Sequence, residues 1–154
     1  MFARLSVVVF LAAFAGAAQA QNLPAKVQEH VDELLAECRE FGGDPVPEPG
    51  FVSSVDLNGD GGPDVLVDLS KMNCQGALSA FCGSAGCPLI VWLSGPEGYF
   101  AAGPGHVHEW QVEGRSLRVT IHGQMCNPLR IGADSCVEVV DYDGLVRPPR
   151  DTGG

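Results

Sequence analysis

The chain of 154 residues carries 9 Lys+Arg against 19 Asp+Glu, a formal net charge of -10 with neutral histidines, and 45% of it is hydrophobic. So acidic a surface argues against nucleic acid or an anionic membrane as partner, and favours solubility, cations or a basic partner. The length suits one domain with one modest core.

Residues 1–20 follow the plan of a secretory signal peptide: Arg4 is the basic n-region, Leu5 to Ala18 the apolar run, and Ala18-Gln19-Ala20 an A-x-A cleavage site. The run is too short, and its flank too rich in small residues, for a membrane span. No cysteine follows the cleavage site to take a lipid. The expectation is a periplasmic or secreted protein beginning at Gln21, with 134 residues (154 minus 20) and a charge of -11 from 8 basic (9 less Arg4) and 19 acidic side chains.

Six cysteines lie beyond the signal: Cys38, Cys74, Cys82, Cys87, Cys126 and Cys136. An even count in an oxidising compartment reads as three disulfides, and fifteen pairings are open. The Cys82 to Cys87 and Cys126 to Cys136 stretches are short, rich in Gly, Pro or Asn, and able to close on themselves, which leaves Cys38 with Cys74. With no C-x-x-C present, the role expected is stapling rather than redox chemistry.

From Asn22 to Arg39, Val27, Val31, Leu34, Leu35 and Cys38 fall on one face of a helix, with Asn22 as cap, Pro24 in the first turn and Gly42-Gly43 as the stop. Asp44 to Gly50 holds Pro45, Pro47 and Pro49, and reads as a linker rather than a strand. Phe51 to Leu57 and Asp64 to Leu69 then read as two strands of a hairpin. Ser70 to Pro88 reads as loop. Pro88 to Ser94 with Tyr99 to Ala102 makes a second hairpin, Val107 to Val112 with Ser116 to His122 a third, and Cys136 to Tyr142 a last strand. Asp143 to Gly154, with Pro148, Pro149 and two terminal glycines, reads as a disordered tail. Together these predict a single α+β domain over 21–142, in which the N-terminal helix packs on an antiparallel meander of about six or seven short strands, stapled by disulfides.

The tip of the first hairpin carries the clearest chemistry. Asp56 to Asp64 reads D-x-N-x-D-G-x-x-D, with side-chain oxygens at the first, third, fifth and ninth places. Such spacing wraps a loop around a hard cation. Asp56, Asn58, Asp60 and Asp64 would offer side-chain oxygens and Gly62 its carbonyl, while Gly61 lets the chain turn. Without a cation the three carboxylates would repel, so ion binding and ordering of the hairpin should be coupled. The loop departs from an EF-hand because Val67 stands where a bidentate Glu belongs and strands flank it.

Those departures resemble the calcium loops of FG-GAP and VCBS-type repeats, in which the same pattern is followed at once by a strand, here Asp64-Val65-Leu66-Val67-Asp68. The resemblance covers Ser54 to Leu69 and implies one Ca2+ held by the five residues just named. The unit occurs once, so a propeller is not expected. Phe81 to Cys87, Trp110, Ile121-His122-Gly123, Cys126 and Cys136 are similar in outline to small exported bacterial proteins of unassigned role, a likeness that brings no activity with it.

Other constellations are weaker. His106 and His108 form an H-x-H that would place both rings on one strand face, with His122 on another strand, yet no third ligand is evident. No G-x-S-x-G, H-E-x-x-H, S-x-x-K or phosphate loop is present, so no catalytic residue is expected; Ser84 and Ser94 read as turn residues. Trp92 and Trp110 read as packing. The function expected is a calcium-binding module with a protein or glycan as periplasmic partner. An inhibitor of a secreted hydrolase such as lysozyme is one alternative, although Ser94 to Tyr99 has one residue too many for an S-G-x-x-Y signature, and an enzyme of unknown type, for which no constellation speaks, is the other.

Overall fold

A computed structural model describes residues 22–146. In chain order the elements are α1 (Ala25–Glu40), β1 (Asp44–Pro47), β2 (Val52–Val55), β3 (Asp64–Asp68), β4 (Met72–Gln75), β5 (Cys87–Leu93), β6 (Phe100–Ala101), β7 (Gly105–Val107), β8 (Glu109–Glu113), β9 (Ser116–Ile121) and β10 (Cys136–Asp141), with short 3-10 turns at Leu69–Lys71 and Gly123–Met125. The α+β class holds. Among the described residues ten strands replace the six or seven expected, and they form three antiparallel sheets instead of one meander.

The largest sheet runs β2-β3-β5-β6, with β7 also paired to β5. Its centre is buried on both faces because side chains alternate along a strand. Val65 and Val67 of β3 meet α1 together with Trp92 of β5, whereas Leu66, Leu89, Val91 and Leu93 meet the three-stranded sheet β10-β9-β8 through Leu117, Val119 and Ile121. The described residues thus build three layers: helix, central sheet, outer sheet. Helix α1 buries Val27, Val31, Leu34 and Cys38 as one stripe. The two valines and the leucine each contribute about 1.5–3 kcal/mol by leaving water. The N-cap is Pro24, without the side-chain cap expected from Asn22.

Several boundaries move for identifiable reasons. The proline-rich stretch read as a linker contains β1, paired with β4 in a two-stranded ribbon. Glu48 donates its N–H to the Lys71 carbonyl, so the even-numbered residues point their amides at β4 and Pro45 and Pro47 face the unpartnered side, where no donor is needed. The stretch read as loop from Ser70 to Pro88 accordingly contains β4. The single strand expected over Val107 to Val112 breaks at His108: Val107 pairs with Cys87 on the central sheet, and Trp110 pairs with Val119 on the outer one.

All three disulfides form with the pairing Cys38–Cys74, Cys82–Cys87 and Cys126–Cys136. The first ties α1 to β4. Nor does the chain leave the core at Asp143. Tyr142 is buried, Leu145 packs against the core, and Gly144 donates its N–H to the Asn58 carbonyl. The rest of the expected tail, 147–154, and the expected signal peptide, 1–20, lie outside the described residues. Among those described, no helix is long and apolar enough to cross a membrane.

Candidate metal loop

The loop between β2 and β3 is shaped by glycines. Gly59 and Gly61 adopt φ values of +75° and +84°, a region strained for residues with a side chain, and they let the chain coil around its own carboxylates. Asp56 is exposed; its Oδ1 accepts the Gly59 N–H at 2.7 Å and its Oδ2 the Gly61 N–H at 3.2 Å. The Asp60 Oδ1 accepts the Gly62 N–H at 2.7 Å, and this bond holds the carboxyl below its ordinary range.

Asn58 and Asp64 form the buried floor. The Asn58 Oδ1 accepts the Asp60 N–H at 3.1 Å, while its Nδ2 donates to the carbonyls of Ser94 at 2.8 Å and Leu145 at 3.1 Å. Asp64 has no exposed surface. Its Oδ2 accepts the N–H groups of Leu57 at 2.7 Å and Asn58 at 3.1 Å, and its Oδ1 accepts the backbone N–H of Ser94 at 2.7 Å. Four donors, including a hydroxyl, therefore surround one carboxylate that lies between two core layers.

That hydroxyl belongs to Ser94, at the end of β5. Its Oγ lies 3.1 Å from both Asp60 oxygens and 2.9 Å from the Asp64 Oδ1. A hydroxyl has one proton to give. Two carboxylates thus share a single donor, and the remaining contacts set oxygen against oxygen. Gly62 is kept small by the same residue, because a Cβ there would come within 2.7 Å of the Ser94 Oγ. Tyr99 closes the other side: its hydroxyl donates to the Pro63 carbonyl at 2.7 Å, and partial burial, with Asp64 and Asp60 nearby, pushes its pKa up.

Of the five residues read from sequence, Asp60 and Asp64 converge on Ser94, Asn58 lies beneath, and Asp56 is turned to the amides of Gly59 and Gly61. The three carboxylates are not drawn to one point, and among the described residues no group of three or more His, Cys, Asp and Glu side chains gathers closely enough to hold a metal. The donor set nevertheless fits a hard cation in kind, being all oxygen, and the shared Ser94 proton leaves negative charge for one to offset.

Ser94 and Arg115 went unnoticed in the sequence as parts of this site. Arg115 projects from the turn between β8 and β9, so that a Cβ on Gly59 would meet its guanidinium. It is paired with Asp143 at 2.5 Å, which together with Asp56 raises its pKa. Sequence spacing could not show either contact, since both cross from other hairpins.

The histidine pattern does not survive as one strand face. His106 lies on β7 and His108 beyond its end, and His108 faces His122 with ring centroids 6.2 Å apart. The His122 Nδ1 accepts the Gln124 N–H at 3.4 Å. Trp92 is buried in the helix-side core, and Trp110 is half-buried with its Nε1–H donated to Asp68.

The described residues define a disulfide-stapled, three-layer α+β protein with an acidic loop joining its two β layers. Comparison with family models, with curated proteins and with solved structures finds no match to this chain.

Proposed function

We propose that this is an exported interaction module whose β2–β3 tip binds one Ca2+ through Asp56, Asn58, Asp60, the Gly62 carbonyl and Asp64. The supporting observation is the single Ser94 hydroxyl shared by Asp60 and Asp64. A divalent cation would supply the positive charge that one proton cannot. It would serve structure rather than reaction, since Asn58 and Asp64 reach from the loop to β5 and to Leu145. The partner proposed is a protein or glycan of the periplasm or cell exterior, and the three disulfides suit such an oxidising compartment.

Calorimetric titration of the folded mature chain with Ca2+ tests the ion. Heat of binding and a higher melting temperature at millimolar Ca2+, both reversed by chelation, are the expected results. An unchanged melting curve without heat would sink the reading. The alternative of a hydrolase inhibitor presenting Ser94 to Tyr99 gains no specific support, because Ser94 is buried and Tyr99 is tied back to Pro63.

A further inference from the structure

Strand β3 begins and ends with a buried carboxylate. Asp64 serves the acidic loop, and Asp68, four residues on and about 13 Å away at a strand rise of ~3.3 Å per residue, does not. Asp68 is 4% exposed and has no ion-pair partner among the described residues. Its Oδ1 accepts the Ser70 N–H and its Oδ2 the Trp110 Nε1–H, both at 2.9 Å. The second bond crosses from the central sheet to the outer one and locks an indole edge against a carboxylate.

This pair belongs to the lining of an open depression of about 430 Å³, together with Ser70, Lys71, His108 and Glu109. Those four side chains are exposed. A buried carboxylate and an aromatic ring therefore sit below a rim of donors and acceptors of both signs. Each Asp68 oxygen carries one protein hydrogen bond and retains acceptor capacity.

We infer that this depression binds a neutral saccharide. The inference rests on reading the chain as an interaction module and names the ligand class that reading leaves open. A simple cation entering here would meet Lys71, and a simple anion would meet Asp68 and Glu109. A sugar meets neither conflict. Its hydroxyls both donate and accept, so carboxylates can take their protons while Lys71, His108 and Ser70 supply donors, and charged groups make the stronger of these bonds. Its apolar C–H face suits the indole, whose orientation is already fixed by Asp68. The site is separate from the metal loop, at the opposite end of β3.

The test uses the full mature chain labelled with 15N, titrated separately with cellotriose, chitotriose and mannotriose, with glycerol as a polyol that has no ring face. The chain has two tryptophans, so the Trp92 indole N–H, buried on the helix side, is an internal reference for that of Trp110. At least one trisaccharide should shift the Trp110 indole signal saturably in the millimolar range, leaving Trp92 and the glycerol control unmoved. Lys71→Ala and His108→Ala, both at exposed positions that do not endanger folding, should each weaken binding by about fivefold, the loss of one hydrogen bond. No saturable shift with any of the three sugars, or affinities unchanged in both variants, would overturn the assignment. Running the titration in EDTA and in Ca2+ separates the two sites: a sugar response in EDTA alongside a failed Ca2+ titration removes the metal and keeps the saccharide, and the reverse pattern does the opposite.

Discussion

Asp64 and Ser94 meet twice: one carboxylate oxygen, Asp64 Oδ1, accepts the Ser94 backbone N–H at 2.7 Å and the Ser94 hydroxyl at 2.9 Å. Through its other oxygen Asp64 holds Leu57 and Asn58. The side chain is thus the peg that fixes the loop to the end of β5. Asp64→Ala leaves three buried N–H groups without an acceptor, each costing about 1–3 kcal/mol, and a total loss of about 3–5 kcal/mol is expected in denaturant unfolding. Ser94→Ala removes only the hydroxyl and should cost about 1 kcal/mol. Equal losses in the two variants would refute the hierarchy.

The exposed and buried carboxylates of the loop should behave differently toward Ca2+. Asp56→Ala disturbs only two hydrogen bonds at the surface, so the folded state should persist in EDTA. The proposed stabilisation by the ion, about 2.7 kcal/mol at a hundredfold excess over Kd, should vanish in this variant. Melting curves with and without Ca2+ check this; a variant that keeps the full calcium shift would remove Asp56 from the ligand set.

The disulfides differ in the lengths of chain they close. Their sequence separations are 36 for Cys38–Cys74, 10 for Cys126–Cys136 and 5 for Cys82–Cys87. On loop-closure entropy alone these correspond to about 4, 3 and 2 kcal/mol respectively. Paired Cys→Ser variants should lose stability in that order in denaturant melts. Loss of Cys82–Cys87 as the most damaging change would show that native contacts, and not the unfolded chain, set the effect.

Alkaline pH should unfold the protein through its tyrosines. Burial pushes the Tyr142 pKa up from 10.0 to about 12, and its hydroxyl has no hydrogen-bond partner among the described residues. The raised folded pKa means that this contribution to stability is whole below pH 10 and is lost as pH climbs through about 12, because the unfolded chain sheds its proton first. Tyr99 is shifted in the same direction, and the chain has two tyrosines, so in an ultraviolet titration of native protein both phenols should ionise above the ordinary pKa. Tyr142→Phe removes the unpaired hydroxyl and should be neutral or stabilising by up to about 1 kcal/mol, with a gentler alkaline decline. Two native tyrosines that both titrate normally would contradict the burial of Tyr142.

Periodicity and spacing determined much on their own. The stripe Val27, Val31, Leu34, Cys38 is a local property of a 3.6-residue repeat, and it placed α1 within a few residues. The alternation of Val65, Leu66 and Val67 placed β3, and glycine-rich separations allowed the two short disulfide loops to be read, which left the third pair. The D-x-N-x-D-G-x-x-D run marked an acidic, glycine-turned tip before any contact was known. Tertiary structure decided what those elements touch. Pro45 and Pro47 became strand residues because a two-stranded ribbon leaves them a side with no amide to satisfy. His108 became a break between sheets because its neighbours Val107 and Glu109 found different partners, Cys87 and Thr120. Ser94 entered the acidic loop from 30 residues away, and Trp110 reached Asp68 across 42. Contacts at that separation depend on how whole layers stack, and burial of both faces of β3 is the force that stacks them.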